Sequence, residues 1–467
     1  MPNLQTVWSI SVMGASAAGK SLLLQTLSGR VQDLALSGEV KMNDKIVNPK
    51  RLDNPVAYVP QEDSLIGELT AREVTINTAV LKRDDPLSVI KEETSQLLDS
   101  LGLTKVADGI IGTMIFRGLS GGQKKRVEIS TELIASPSIL LLDEPTSGLD
   151  SSIAYDVLLA VRNLVKSSGG KLSVVLTIHQ PNSKILDLFD HLLLLNQGAS
   201  VYFGTVPESL AYFSGLGYPC PKSVTPTDYF LQISDSNFTS AAQFDFERAY
   251  LESAIYTELK TTLHPLALPA AIITEEAKAV TSHVGTSFWR QFYTLVYREY
   301  ALAWRDPTLY YLQVVLILGF AFCVGAVFLA LPQGIDGNFN IFYGAILWVS
   351  LLFGWVHAFK VYHISKIDKR TKHEIANNKY TALAIFAADW FSTATLGLVF
   401  LPSAPIAYFM AGFPGAAFPY LILNCWVVST CASQLYTIAY IYIIIIFTKL
   451  YLLHVCRPRW RPRRCCR

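Results

Sequence analysis

The chain has 467 residues, of which 51% are hydrophobic and 16% are charged, and its mean hydropathy is +0.33. This composition is too apolar for a soluble protein of that size, so we expect part of the chain to lie in lipid. Lys plus Arg (39) nearly balance Asp plus Glu (37), and the net charge of +2 offers no global field for nucleic acid, which we exclude as a partner.

Residues 1–205 alternate between strand-like and helix-like patterns. Continuous apolar runs, which the buried strands of a parallel sheet require, lie at Ser138–Leu142, Val174–Ile178 and Leu192–Leu195. Asp85 as cap and Pro86 as first-turn residue predict the start of a further helix, and Gly102 predicts its end. We therefore predict an α/β domain with a helical insert.

A phosphate-binding loop of the form GxxxxGK[ST] follows the apolar run at residues 7–13 and precedes a helical pattern. In a P-loop domain of this kind, backbone N–H groups and the helix N-terminus surround the phosphates of a nucleotide. We expect Lys20 to reach the β- and γ-phosphates of ATP and the Ser21 hydroxyl to bind Mg²⁺. The predicted nucleotide-binding residues are Gly14, Ala15, Ser16, Ala17, Ala18, Gly19, Lys20, Ser21 and Leu22.

A second anion site is predicted where a helix begins after one serine and two glycines. The glycines leave backbone N–H groups bare at the helix N-terminus, where the helix dipole favours an anion. The residues of this segment are Leu119, Ser120, Gly121, Gly122 and Gln123.

The apolar run at 138–142 ends in two acids, Asp143 and Glu144. An open α/β sheet binds its ligand at the carboxyl edge of its strands, which is where these side chains would lie. An acidic strand end is more often a helix cap or a solvated turn, but the phosphate loop favours a catalytic interpretation. We expect Asp143 to hold Mg²⁺ and Glu144 to orient or deprotonate the attacking water.

Charge becomes sparse near residue 308. We predict a mixed linker over residues 206–285 and an amphipathic connecting helix at the membrane surface over residues 286–307. Residues 308–447 are predicted to form an all-α transmembrane domain, because a span needs about 20 apolar residues. The predicted spans are near 312–331, 341–359, 383–410 and 420–447.

Basic residues crowd the loop at 360–379 and the tail at 448–467. Short cytoplasmic loops carry such an excess, so we expect a multi-pass integral membrane protein whose first domain lies in the cytoplasm. The tail has two explanations. It binds anionic lipid or carries acyl groups, or a shifted reading frame or truncated gene prediction produced it, which is simpler on composition.

The motifs GASAAGKS, LSGGQ, ILLLDEPTSGLD and TIHQP occur together in this chain. Jointly they resemble ATP-binding cassette transporters, and the cassette-first order resembles the G subfamily, of White and pleiotropic-drug-resistance type. Residues 373–374 (HE) and 378–380 (NKY) resemble that family's coupling loop, which would press on the cassette near Gln61. The family has six spans, so the four found here imply that the last third of the membrane domain is missing.

The resemblance implies that two half-transporters, identical or different, dimerise head to tail, so that the LSGGQ of one closes over the ATP of the other. It implies that Gln61 contacts Mg²⁺ and relays to the membrane part, and that His179 senses the γ-phosphate. Without the family, a loop glutamine is usually solvated and a histidine at a strand end is usually structural. The D-loop that would link the two sites comprises Ser147, Gly148, Leu149 and Asp150.

The phosphate loop departs from the family at position 17, where glycine is usual and this chain has alanine. If position 17 requires a positive φ, the Cβ of Ala17 costs roughly 1 kcal/mol. The substitution then predicts weaker nucleotide affinity.

Two functions are expected from these features. The first is an ATPase coupled to transport, which moves a lipid-like or amphipathic substrate across a membrane, with the plasma membrane following from family habit. The alternative is a non-transporting or truncated partner subunit that binds ATP and dimerises but forms no pathway.

Overall fold

The structure of the protein is a computed structural model. It describes residues 9–30, 37–38, 40–42, 45–47, 56–113, 116–221, 223–234, 244–263, 286–305, 311, 314–316, 318–319, 321–323, 325–326, 370–371, 373–377, 379–397, 405, 409–410 and 419. The chain divides into two compact units, which are residues 1–294 with 372–381 and residues 295–371 with 382–467.

The first unit is built on a mostly parallel β-sheet. Its strands are β1 Ser9–Gly14, β4 Val56–Val59, β5 Ile139–Leu142, β6 Ser173–Thr177, β7 His191–Asn196 and β8 Ala199–Gly204, and a separate hairpin pairs β2 Val40–Met42 with β3 Lys45–Val47. The described strands follow the order β4-β5-β6-β1-β7-β8, and only β7 and β8 pair antiparallel. The apolar runs thus form strands as predicted, and the α/β fold class is confirmed for this unit.

The strand ends that precede the predicted site lie beside one another. Val59 of β4 pairs with Leu142 of β5, and Val12 of β1 pairs with Thr177 of β6. Each of these residues is at or near the carboxyl end of its strand. The loops that follow therefore meet at one edge, where an open parallel sheet binds its ligand.

Helices follow the strands and form the insert. Three of them, Ala71–Lys82, Gly121–Leu133 and Val206–Gly215, begin with a capping box, in which Thr70 pairs with Glu73, Ser120 with Gln123 and Thr205 with Glu208. The helices are α1 Lys20–Leu27, α2 Ala71–Lys82, α3 Leu87–Ser100, α4 Gly121–Leu133, α5 Ser151–Ser167, α6 Ser183–Leu186, α7 Val206–Gly215, α8 Pro226–Ser234, α9 Phe246–Leu251, α10 Ala254–Leu263, α11 Phe288–Arg305 and α12 Ala382–Gly397.

The predicted insert helix is α3, and it begins one residue later than expected. Pro86 takes the cap position, and the Asp85 carboxylate instead accepts a hydrogen bond from Arg83 Nε at 2.7 Å. The prediction that Asp85 caps the helix is therefore wrong, because a stronger charged partner takes its carboxylate. Gly102 has φ 67°, a left-handed conformation that favours glycine just beyond a helix, so the predicted end is confirmed.

The main hydrophobic core of the first unit contains side chains from the sheet and from helices α5, α7, α8 and α9. Helix α5 contributes the buried residues Ala154, Val157, Leu158, Val161 and Val165. The stretch predicted as a linker contributes four buried aromatic side chains to the same core, Phe213, Tyr229, Phe230 and Phe246. Burying such a side chain stabilises a fold by about 1.5–3 kcal/mol, so these helices help to hold the sheet that carries the site.

Two helices fall in regions predicted to meet the membrane. Helix α11 occupies the predicted connecting helix, burying Leu295 while exposing Trp289, Tyr293, Tyr297 and Trp304. Helix α12 overlaps the predicted span 383–410. The predicted spans 341–359 and 420–447, half of 312–331 and the tail 448–467 lie outside the described residues. Within the described part of the chain, no helix is both long enough and apolar enough to cross a bilayer.

Candidate nucleotide-binding site

The phosphate loop joins β1 to α1 through a turn that requires glycine. Gly19, which caps α1, has φ 94°, a value that other residues rarely adopt. Lys20 is 6% exposed, and its Nζ donates to the carbonyl oxygens of Gly14 at 2.9 Å and Ala15 at 3.0 Å. Burial lowers the pKa of Lys20, while two nearby carboxylates act in the opposite direction. The ammonium group thus lies inside the loop where phosphates are predicted to bind.

The Asp143 carboxylate accepts three hydrogen bonds at the end of β5. Ser21 Oγ and Thr177 Oγ1 donate to Oδ1 at 2.8 and 2.7 Å, and the Tyr58 hydroxyl donates to Oδ2 at 3.0 Å. Burial raises the pKa of Tyr58, so its phenol keeps the proton that it donates. Asp143 is 4% exposed, and these three donors fix its orientation.

Glu144 is held through both its backbone and its side chain. Its N–H donates to Thr177 Oγ1 at 2.8 Å, and its Oε2 accepts from Gln61 Nε2 at 2.8 Å. Its φ of 43° lies in the left-handed region, which costs a residue with a Cβ roughly 1 kcal/mol. The same Gln61 nitrogen lies 3.4 Å from Ser147 Oγ. One threonine hydroxyl therefore bridges the two acids, and one glutamine joins Glu144 to the D-loop.

His179 lies against the phosphate loop. Its Nε2 is 3.2 Å from Ser16 Oγ. The structure thus brings together the phosphate loop, Gln61, the acid pair at 143–144 and His179, which belong to separate motifs in the sequence. Of the other predicted residues, Ala18 is buried, Leu22 is exposed, Gly148 has φ 71° and Asp150 stands at the cap position of α5.

The LSGGQ segment forms the start of α4. Gln123 N donates to Ser120 Oγ at 3.4 Å, and Ser120 N donates to Gln123 Oε1 at 2.9 Å, a capping box within the helix. A Cβ on Gly122 would come within 2.2 Å of Ile153 Cγ2 on α5, so helix packing also requires glycine there. The hydrogen bonds of Ser120 and Gln123 thus stay within α4 and do not join them to the phosphate loop.

A lysine of α4 holds the loop that carries Gln61. Lys125 Nζ donates to the carbonyl oxygens of Pro60 at 3.1 Å and Gln61 at 3.2 Å, and to Glu128 Oε2 at 2.8 Å. Burial raises the pKa of Glu128 to about 7, against the opposing charge of Lys125. The backbone that positions Gln61 is therefore hydrogen-bonded to α4, the helix that begins at the LSGGQ segment.

Sequence reasoning missed three residues that this geometry makes important, Tyr58, Thr177 and Lys125. Tyr58 stands three residues before Gln61 and Thr177 two residues before His179. A polar side chain near the carboxyl end of an otherwise apolar strand is the signal that could have found these two. Lys125 gave no such signal, because a lysine near the start of a helix is usually solvated.

The oxygen atoms beside the phosphate loop suit Mg²⁺. Ser21 Oγ and Asp143 Oδ1 are hard ligands that lie 2.8 Å apart. Proteins hold Mg²⁺ through one or two carboxylates together with substrate phosphates, and seldom through a full protein cage. Among the residues that the structure describes, no group of three or more His, Cys, Asp and Glu side chains could hold a metal ion.

Residues 373–377 and 379–381, which we call segment 373–381, lie against α4 within the first unit. Glu132 of α4 is 1% exposed and accepts from Asn377 Nδ2 at 2.9 Å. Its carboxylate also pairs with Lys379 at 3.1 Å and with Lys82 at 3.2 Å. Burial by itself would raise the pKa of Glu132, but the two lysines outweigh it and hold the pKa below its usual value. The segment that resembles a coupling loop is thus fastened to the cassette by a buried carboxylate.

We expect the contact of this segment to weaken as the pH falls. Burial and the charge of Arg30 lower the pKa of His373 to about 4. The charge of Lys379 also lowers this pKa, whereas the charges of Glu132 and Glu374 raise it. A histidine with a lowered pKa stabilises its packed state fully above about pH 6.5 and loses that contribution as the pH falls towards 4. Hydrogen-exchange protection of residues 373–381, corrected for intrinsic rates, should fall between about pH 7.5 and about pH 5. The same fall in His373→Asn would contradict this assignment.

Three family matches cover successive parts of the chain. Residues 3–147 match the family described as ABC transporter, and residues 179–254 and 290–449 match families described as ABC-2 type transporter. The broad substrate specificity ATP-binding cassette transporter ABCG2 of Bos taurus is 30% identical over 466 residues, which cover 91% of this chain and 68% of that protein. The chain belongs to the G family of ABC transporters. Its predicted family and cassette-first order are confirmed.

Further G-family relatives come from Arabidopsis thaliana. ABC transporter G family member 13 is 35% identical over 358 residues, covering 68% of this chain and 52% of that protein. Member 11 is 32% identical over 449 residues, covering 87% of this chain and 60% of that protein. This chain therefore spans little more than half the length of these two relatives.

In this G-family cassette, Ala17 has φ 64°. A residue with a Cβ therefore adopts a left-handed backbone conformation that favours glycine. We expect Ala17→Gly to tighten ATP binding about fivefold, because a Cβ there costs roughly 1 kcal/mol. A fluorescence titration with an ATP analogue measures this. Ala15→Gly, at a position without a positive φ, is the control, and equal affinity in Ala17→Gly and wild type would reject the idea.

Proposed function

We propose that this chain is an ATP-hydrolysing half-transporter that moves a lipid-like or amphipathic substrate across a membrane as a homodimer or heterodimer. One observation carries the proposal: Ser21, Asp143 and Glu144 form one hydrogen-bonded site beside the buried amine of Lys20. A glycine turn with a purely structural role would not require a lysine, a hydroxyl and two carboxylates to lie together. The substrate class rests on the G-family resemblance alone.

The proposed reaction transfers the γ-phosphoryl group of ATP to water, which needs positioning and charge stabilisation more than covalent help. Lys20 binds the β- and γ-phosphates, giving up its bonds to the loop carbonyls. Ser21 and Asp143 would hold Mg²⁺, which would neutralise charge on the phosphate oxygens. Glu144 orients the attacking water and accepts its proton.

Gln61 and His179 act at the far side of the γ-phosphate in this proposal. The Gln61 amide nitrogen, which donates to Glu144 at 2.8 Å, would donate instead to the attacking water, while the amide oxygen would contact Mg²⁺. His179, 3.2 Å from Ser16, exchanges its contact for the γ-phosphate. Both side chains thus register whether ATP is present, and Gln61 carries that change towards the membrane part.

The LSGGQ segment and the D-loop serve a second copy in this proposal. The bare N–H groups at the start of α4 close over the ATP held by a partner, while residues 147–150 connect the two sites. The cassette works in the cytoplasm, and the plasma membrane is the proposed location. The exposed aromatic residues of α11 contact the lipid interface, where tryptophan and tyrosine are favoured.

Hydrolysis by the full chain in lipid nanodiscs tests the proposal. We expect Mg²⁺-dependent release of phosphate from ATP, with a turnover that changes when amphipathic compounds are added. Turnover indifferent to every such compound would favour the partner-subunit alternative. No hydrolysis by this chain, alone or with a second G-family half-transporter, would overturn the proposal.

A further inference from the structure

Tyr58 contacts both the proposed metal ligand and the segment 373–381. Its side chain is buried, and its hydroxyl donates to Asp143 Oδ2 at 3.0 Å. Its carbonyl oxygen lies 3.5 Å from Asn377 Nδ2. One residue thus joins the two regions, although they are more than 200 positions apart in the sequence.

A second set of contacts reaches the ring of Tyr58. The Arg30 guanidinium lies 4.4 Å from the ring centroid, a cation–π geometry. The charge of Arg30 interacts with Glu132, the carboxylate that accepts from Asn377 and pairs with Lys379. The charge of Arg30 thus acts both on the ring of Tyr58 and on the carboxylate that holds segment 373–381.

The strand that carries Tyr58 is suited to transmit a displacement. Strand β4 has four residues and lies at the edge of the described sheet, so β5 is its single neighbour there. Asp143 makes two hydrogen bonds to β4: its N–H donates to Val59 O at 2.9 Å, and its carboxylate accepts from the Tyr58 hydroxyl. A shift of the end of β4 would therefore move the donor that orients Oδ2.

We propose that Tyr58 is a positioning residue through which the packing of segment 373–381 sets the orientation of the Asp143 carboxylate for Mg²⁺. The inference rests on the proposed function, because it assigns Asp143 to metal binding. The contact runs in both directions: a carboxylate turned towards the metal favours the packed segment, and a displaced segment releases the carboxylate. Outer partners of this kind orient metal ligands and change metal affinity when removed.

The test measures metal binding in place of turnover. The full chain carrying Glu144→Gln, in lipid and with ATP, is titrated with Mn²⁺ as a substitute for Mg²⁺ and followed by electron paramagnetic resonance. Adding Tyr58→Phe should raise the Mn²⁺ concentration at half-saturation about tenfold or more, because the ring remains while its hydroxyl is lost. Tyr202→Phe is the matched control, since that buried hydroxyl donates to Thr205 O at 2.7 Å, apart from the site.

Asn377→Ala tests the connection to the segment. We expect it to raise the half-saturating Mn²⁺ concentration by a smaller factor, with the double variant showing less than the product of the two factors. Unchanged Mn²⁺ binding in Tyr58→Phe would overturn the inference. So would a double variant whose half-saturating Mn²⁺ concentration rises by the full product of the two single-variant factors. Phosphate release by the chain with Glu144 intact distinguishes failure of the proposed function from failure of this inference. No phosphate release would reject the proposed function. Phosphate release together with unchanged Mn²⁺ binding in Tyr58→Phe would reject only the role of Tyr58.

Discussion

Glu144→Gln is expected to lower ATP hydrolysis at least about 100-fold while leaving ATP binding intact, since a positioned general base contributes about 10²–10⁴-fold. The amide keeps the size of the side chain and the backbone bond from its N–H to Thr177. It removes the negative charge that would accept a proton from water. Phosphate release and equilibrium ATP binding, measured on the same preparation, separate the two effects.

The control for Glu144→Gln is Asp156→Asn, which removes an exposed carboxylate on α5. Its hydrolysis should match that of the wild type. A Glu144→Gln chain that hydrolyses ATP at more than about a tenth of the wild-type rate would remove Glu144 from the role of base. His179 would then be the next group to test, because it also faces the phosphate loop.

Lys20→Met has the second largest expected effect, a loss of ATP affinity of about 30-fold. The lysine is expected to exchange its hydrogen bonds to two loop carbonyls for charge-assisted bonds to the phosphates, so the net loss, about 2 kcal/mol, is within the roughly 1.5–3 kcal/mol that one such bond contributes. Equilibrium titration with ATP measures the loss. Lys171→Met, which removes an exposed lysine, should leave the affinity unchanged.

Lys20 also donates to the carbonyl oxygens of Gly14 and Ala15, so its loss could loosen the loop itself. Lys20→Arg keeps a cation and donors for these carbonyls, and thermal unfolding reports on the fold of each variant. We expect Lys20→Met to unfold near the wild-type temperature and still bind ATP weakly. Unchanged ATP affinity in a folded Lys20→Met would contradict the assignment of the loop.

The parts of the site that were predictable from sequence are those fixed by local spacing. The loop around Gly19 and Lys20 needs strand, turn and helix within about a dozen residues, and Asp143 directly follows an apolar strand. Local geometry dictates both, so the sequence alone was enough. The shift of the α3 cap shows the limit of such reasoning, because the competing partner of Asp85 was visible only in the structure.

The rest of the site depends on contacts between distant segments. Tyr58 and Asp143 are 85 positions apart, and Thr177 reaches Asp143 across 34 positions. Periodicity reports whether a side chain is buried and gives no information on its partner across the sheet. Glu132 is the clearest case, since its three partners come from α2 and from the segment after residue 370.

The most direct test of ATP-driven transport is the movement of a fluorescent amphipathic compound across vesicles that contain the full chain. The wild type should move the compound only when Mg²⁺ and ATP are present together, and Glu144→Gln should not move it under the same conditions. Wild-type vesicles that hydrolyse ATP, with or without a second half-transporter, and move no amphipathic compound would contradict the transporter assignment and favour a non-transporting subunit.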